Sequence, residues 1–199
     1  MSPLPPVTTD DIVGAFGLAG VVFLPRVLRI PRRAAETTAS RPDFSERTSA
    51  FLSGVGLPSD YVFIARAGEG PSGDDPGEDK VHLGPWTDDD FDFDLPEACR
   101  SWPVLGQFRT AFAAVNPADD RVYEVWFDGD GTPVPIHRDV ESLARSLIEL
   151  QKFCEQREED EDLAPEELRR RIGVFDDLPF GAAETEWTRM LEEIEDGIF

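Results

Sequence analysis

Apolar positions recur along this chain with two different periods, and the changes from one to the other mark out its elements. Between Thr8 and Phe16 the apolar residues Ile12, Val13 and Phe16 share one side of a short helix, and Thr8 and Asp11 have the spacing of a capping box. Gly17 and Gly20 end it. Val21 to Leu24 is a short apolar run stopped by Pro25 and reads as a strand, and the basic stretch Arg29 to Ser40 reads as an irregular connection. A second helix is predicted from Asp43, with Glu46 as its capping partner. Phe44, Thr48, Phe51 and Leu52 form its buried stripe, and Gly54 and Gly56 stop it.

The period then shortens to two. Tyr61-Val62-Phe63-Ile64 is β-branched and aromatic and predicts a strand, followed by an exposed acidic loop at 66–79. Short strands are predicted over Val81 to Trp86 and Phe91 to Leu95, where Phe91, Phe93 and Leu95 alternate with Asp92 and Asp94. Val104 to Phe108, Thr110 to Val115 and Val122 to Phe127 are further strands. Asp128-Gly129-Asp130-Gly131 suits a hairpin turn, and Thr132 to Ile136 returns as an edge strand because of Pro133 and Pro135.

The helical period resumes at Asp139, an N-cap, with Val140, Leu143, Ala144, Leu147, Leu150 and Cys154 on the core face. A charged connection at 155–164, a charged helix from Pro165 to Ile172 and a last helix from Glu184 to Glu195 follow. In that last helix Trp187, Met190, Leu191 and Ile194 share one side. Strands cluster rather than alternate with helices. The fold class is therefore α+β, a single domain with a mostly antiparallel sheet of about five to six strands flanked by N-terminal and C-terminal helices.

Composition adds a partner preference. Of 199 residues, 40% are hydrophobic, enough for a packed core. Nineteen Lys and Arg against 41 Asp and Glu give a net charge of −22. That field repels nucleic acid and anionic membrane faces and favours a basic protein partner, although charge of this size also serves solubility alone. Cys99 and Cys154 make no disulfide framework. With His82 and His137 they lack the spacing of a metal site, so neither metal nor cofactor is expected. The opening residues lack the basic and apolar regions of a signal peptide, and Ile12 to Leu28 is broken by glycines, Pro25 and Arg26. These features predict a cytoplasmic chain.

One motif suggests catalysis. Val125-Trp126-Phe127-Asp128-Gly129-Asp130-Gly131-Thr132 resembles the first motif of haloacid-dehalogenase-type phosphatases, with Asp128 as nucleophile, Asp130 as acid and base and Mg²⁺ between them. Lys152 and Asp176-Asp177 would then stand as later motifs. That family opens a parallel βα sheet with this strand, whereas here only about 70 residues follow it, so a hairpin turn is the simpler reading. Pro133 at the sixth position rules out a calcium loop starting at Asp128. No nucleophile motif accompanies the histidines, and no phosphate-cradling pattern accompanies the glycines at 68–73. No catalytic residue is assigned.

Four segments in order resemble the SUKH superfamily, and within it the fourth family, a branch of bacterial immunity proteins common in actinobacteria. Phe51-Leu52-Ser53-Gly54-Val55-Gly56-Leu57-Pro58 is similar to its helix end and Gly-Leu-Pro turn, and Val122 to Trp126 with Asp128-Gly129 to its central hairpin. Asp139 to Phe153 is similar to the helix that follows, and Trp187-x-x-x-Leu191-Glu192-x-Ile194 to the closing helix. The resemblance runs from about Val13 to Phe199. The 66–79 loop, the 155–162 run and the two prolines depart from it. It implies a SUKH-like domain and a non-enzymatic antidote of a polymorphic toxin system, one that binds and blocks a cognate toxin domain, often a nuclease or nucleic-acid deaminase. Candidate interface carboxylates are Asp88, Asp89, Asp90, Asp92 and Asp94, with Trp86 as an aromatic anchor. Each also reads as ordinary solvated surface. A magnesium phosphatase at Asp128 and Asp130, and a regulatory protein-binding scaffold, are the alternatives.

Overall fold

The computed structural model describes residues 4–22, 44–65, 82–84, 95–127 and 131–198. Five strands run in chain order as one antiparallel meander: β3 (Ile64–Ala65), β4 (Val104–Gln107), β5 (Ala111–Val115), β6 (Val122–Trp126) and β7 (Val134–His137). Two shorter strands, β1 (Val21–Val22) and β2 (Leu57–Pro58), pair antiparallel in a separate small sheet. The α+β class expected from the sequence is the one observed.

The β5–β6 ladder is the regular centre, paired without interruption from Ala111 opposite Trp126 to Val115 opposite Val122. Both of its faces are covered, which is why Ala-Phe-Ala-Ala-Val shows no alternation. Ala113, Val115 and Val122 face the main core, while Phe112, Ala114 and Val125 pack with Leu83, Leu95, Cys99 and Trp102 on the far side. The edge position of β7 accommodates Pro135, which sits opposite Tyr123 in a ladder whose register shifts at Val122/Tyr123. Gly106 admits the other edge. A Cβ there would lie 2.5 Å from the Ile64 carbonyl and 2.7 Å from the Phe63 ring, so only glycine lets β3 lie this close.

Helix α1 (Thr9–Phe16) begins with the expected capping box. The Thr8 N–H donates to Asp11 Oδ2 at 2.8 Å, and the Asp11 N–H donates to Thr8 Oγ1 at 3.3 Å. Helix α2 (Glu46–Gly54) begins later than expected. Ser45, not Asp43, is its N-cap and accepts the Thr48 N–H at 3.1 Å, while Asp43 lies outside the described residues. Helix α3 (Val140–Glu159) is capped by Asp139, whose side chain accepts the Ser142 N–H at 2.8 Å. It continues as far as Glu159, into the 155–164 segment read as a charged connection. Gln151 donates to Glu155 within it, and Arg171 of the next helix donates to Gln156, so this last part of the helix has partners of its own.

Helix α4 (Pro165–Gly173) starts on a proline, which costs nothing at a helix's first turn. Helix α5 (Glu186–Glu195) starts two residues after the expected Glu184. Its cap Thr185 accepts the Thr188 N–H at 3.1 Å and donates to the Pro179 carbonyl at 2.7 Å. Trp187 is fully enclosed, with its ring edge-on to His137 at 5.4 Å and against Phe108 at 6.3 Å and Phe180 at 6.4 Å. Leu143, Leu147, Leu150 and Phe153 of α3, Leu168 and Ile172 of α4, and Met190 and Ile194 of α5 complete the same core.

Two of the expected strands lie largely outside the described residues. Of Val81 to Trp86 only 82–84 are described. His82 makes an isolated bridge with Pro103, and Leu83 and Gly84 then turn helical. Of Phe91 to Leu95 only Leu95 is described, buried and non-strand. The loop at 66–79 lies outside the described residues.

Candidate functional site

The run Tyr61-Val62-Phe63-Ile64 predicts a strand by composition, but only Ile64 enters one; Tyr61 to Phe63 fold as a turn, because Asp60 captures the backbone donors that a ladder would need. Its Oδ1 accepts the N–H of Val62 at 2.8 Å and of Phe63 at 2.9 Å. Phe63 is thereby fully buried and Tyr61 is turned outward, 76% exposed, with Ile64 53% exposed on the sheet edge.

The end of α5 comes up beside Tyr61. Gly197 adopts φ +68, which lets the chain turn so that the Ile198 N–H donates to the Glu193 carbonyl at 2.8 Å. Ile198 is 71% exposed. Arg157 of α3 donates to the Ile194 carbonyl at 2.6 Å and ties the two helices together. Tyr61 is the shared wall of two depressions. One, about 670 Å³, runs between α3 and α5 past Cys154, Glu158, Glu161 and Gly197. The other, about 170 Å³, is closed by Val62, Phe108, Arg109, Met190, Glu193 and Ile198, with Glu186 in its lining. Partial burial, then Cys154, Asp60 and Glu158, push the Tyr61 phenol above its usual range. Burial, then Asp60, pushes the Cys154 thiol up to about 11.

Beneath the smaller depression a polar cluster fixes α5 on the sheet. Glu124 of β6 is fully buried and accepts the Glu186 N–H at 3.0 Å and the Trp126 indole N–H at 3.2 Å. Burial above all, and to a lesser extent the Glu186 charge, push its carboxyl up to about 7. Glu186 in turn accepts the N–H of Thr110 at 2.8 Å and also its hydroxyl. Arg189 donates to the Thr110 hydroxyl at 2.9 Å and lies 4.3 Å above the Trp126 ring. Glu193, two turns along, pairs through Oε1 with Arg109, whereas its Oε2 is buried with no hydrogen-bond partner.

The acids expected to carry the interface, Asp88, Asp89, Asp90, Asp92 and Asp94, and Trp86 with them, lie outside the described residues. The segment is flanked by Gly84, bonded to the Arg100 carbonyl at 2.9 Å, and the buried Leu95. Asp128 and Asp130 also lie outside, but the strand before them pairs antiparallel with β7, the hairpin arrangement rather than a parallel βα step. Lys152 pairs with Glu149 on the surface of α3, and Asp176 is committed to His137 in the core. Among the described residues no group of three or more His, Cys, Asp or Glu could hold a metal ion, and no helix is long and apolar enough to cross a membrane. Sequence reasoning missed Tyr61, Glu193 and Ile198 as surface features. The signal for Tyr61 was Ser59-Asp60, a turn-forming pair directly before it.

The sequence model of the SUKH-4 immunity protein family matches residues 7–193. No curated protein and no solved structure matched. The matched stretch holds the small sheet, the five-stranded meander, helices α1 to α4 and most of α5; the chain belongs to the SUKH-4 immunity protein family.

Proposed function

We propose that this immunity protein neutralises a basic toxin domain that acts on nucleic acid, a nuclease or a deaminase, by docking it over the face formed by Tyr61 and the end of α5. The observation that carries the reading is the juxtaposition of exposed Tyr61 and Ile198 with Glu158, Glu161 and Glu193 in a chain of net charge −22. A toxin that grips a phosphate backbone presents arginine and lysine, and carboxylates on a rigid face can take the place of those phosphates. An exposed aromatic residue at the centre of an acidic rim supplies the packed anchor around which such interfaces concentrate their energy. The charge speeds the encounter, and neutralisation works by occlusion with no chemical step of its own.

The segment with Trp86, Asp88, Asp89, Asp90, Asp92 and Asp94 is proposed as a second contact, supported by its alternation of acids and rings. Nucleic-acid-targeting toxins act in the cytoplasm, and the antidote is placed there with them.

Co-expression with the protein encoded immediately upstream tests the proposal. Growth should be rescued, and a 1:1 complex should form whose affinity falls as salt rises. Tyr61→Ala combined with Ile198→Ser should weaken that complex about tenfold or more. Acid-to-amide changes at 88, 89, 90, 92 and 94 should weaken it separately. Absence of both rescue and complex would sink the proposal.

A further inference from the structure

We infer that the smaller depression beside Tyr61 is a socket for one lysine or arginine side chain of the bound protein. The inference rests on the immunity reading above and names the chemistry of its central contact. At about 170 Å³ the space equals roughly five to six water volumes, close to the heavy-atom count of a lysine or arginine side chain. Val62, Phe108 and Met190 give it walls suited to an aliphatic stem, with Tyr61 and Ile198 exposed at its mouth. Glu193, the buried Glu186 and Arg109 line its polar side, two carboxylates against one guanidinium.

The selective element is one oxygen. Arg109 satisfies only Oε1 of Glu193, and Oε2 is buried without a hydrogen bond. An oxygen in that state carries a desolvation cost, and a turn of the Glu193 carboxylate toward the depression lets an incoming ammonium or guanidinium N–H remove it. A neutral apolar side chain of the same length leaves that oxygen dry and unpaired, and an acidic one adds a third carboxylate beside Glu186 and Glu193. Tyr61 adds a ring against which a cation can lie. Glu193 is held in place from below, because Glu124 binds the N-terminal N–H of α5 and Glu186 binds Thr110.

The test is an NMR titration of the full chain with N-acetyl-arginine amide and N-acetyl-lysine amide, using N-acetyl-norleucine amide as the neutral probe. The cationic probes should give saturable shifts at Tyr61, Arg109, Met190 and Ile198, and the neutral probe should give none. Glu193→Gln should weaken cation binding about tenfold, Tyr61→Ala about threefold, and Glu97→Gln, which is remote from the socket, should leave it unchanged. Equal binding of the norleucine amide, shifts that map elsewhere, or an unaffected Glu193→Gln variant would overturn the socket. The two readings also fail separately. A toxin complex that forms with full affinity on Glu193→Gln removes the socket and leaves immunity by docking. Cation binding in the socket without any toxin complex removes the docking proposal instead.

Discussion

His137 Nδ1 meets Asp176 Oδ2 at 3.2 Å, and both side chains are closed off from solvent. The same carboxylate accepts the Arg138 N–H at 3.0 Å and the Leu178 N–H at 3.2 Å, so one acid joins the end of β7 to the turn that leads into α5. Burial pushes Asp176 upward, but the bonds from His137 and the two backbone donors outweigh it and hold its carboxyl low. Burial holds the imidazole below its usual range, so it stays neutral and donates through Nδ1. Asp176→Asn should cost about 2–4 kcal/mol in urea unfolding, because an amide nitrogen then faces a donor in a dry site.

Acid should strain the same pair. A histidine whose native affinity for protons is depressed stabilises the fold above its unfolded pKa of 6.5, and that contribution is lost as pH falls below it. Asp176 adds loss in the same direction as pH falls through its unfolded value of 3.8 and below. The stability difference between wild type and His137→Gln should therefore narrow from pH 7.5 to 5, as measured by denaturant titration at each pH. A difference that is constant or grows would contradict the neutral buried imidazole.

Glu124 works in the opposite sense. Its carboxyl is raised from 4.5 to about 7, so the native state holds a proton that the unfolded chain releases. Its contribution is fully present below pH 4.5 and is lost as pH rises through 7. Relative to Glu124→Gln, the wild type should lose roughly 2–3 kcal/mol between pH 5 and pH 8. An unchanging difference would show that the carboxylate stays ionised throughout.

Gly106→Ala should separate β3 from the meander. The added methyl meets the Ile64 carbonyl and the Phe63 ring, and backbone at one side leaves it no room to relax. A loss of about 1–3 kcal/mol is expected. Amide exchange should accelerate first at Ile64 and Ala65, and toxin affinity should fall with it because Tyr61 is carried on that segment. Intact protection at β3 would disprove the close approach.

Both thiols should be sluggish. Burial raises Cys99, and burial with Asp60 nearby raises Cys154 to about 11. Alkylation by iodoacetamide at pH 8 should run far below the rate of a free thiol in the native protein and reach it on denaturation. Rapid native labelling of Cys154 would contradict this.

The readable parts of the fold are those where composition or one period dominates. Val122–Trp126 and Ala111–Val115 are apolar, β-branched and aromatic runs bounded by turns, the helix capped by Asp139 keeps a helical apolar period, and each stands where the sequence puts it. Departures occur where a short polar side chain competes for backbone donors. Asp60 turned a β-favouring run outward, and Ser45, one residue before Glu46, took the cap expected of Asp43. Glu155 and Gln156 read as solvated letters, but Gln151 and Arg171 reach them from positions distant or helical in sequence, which keeps α3 intact. Alternation puts Glu124 on the face of Val122, and the α5 N-terminus above it supplies the N–H that a carboxylate buried there needs. The vacant oxygen of Glu193 depends on Arg109, 84 residues earlier, and no local pattern reveals such a pairing.

Trp187 fills the centre of the core from the chain's last helix, against Phe108, His137 and Phe180. Trp187 comes fifty residues after His137, the last residue of the sheet. A chain cut anywhere between them keeps every strand of the meander yet lacks the indole that fills its centre, so the completeness of this core is decided by a helix and not by the sheet it covers.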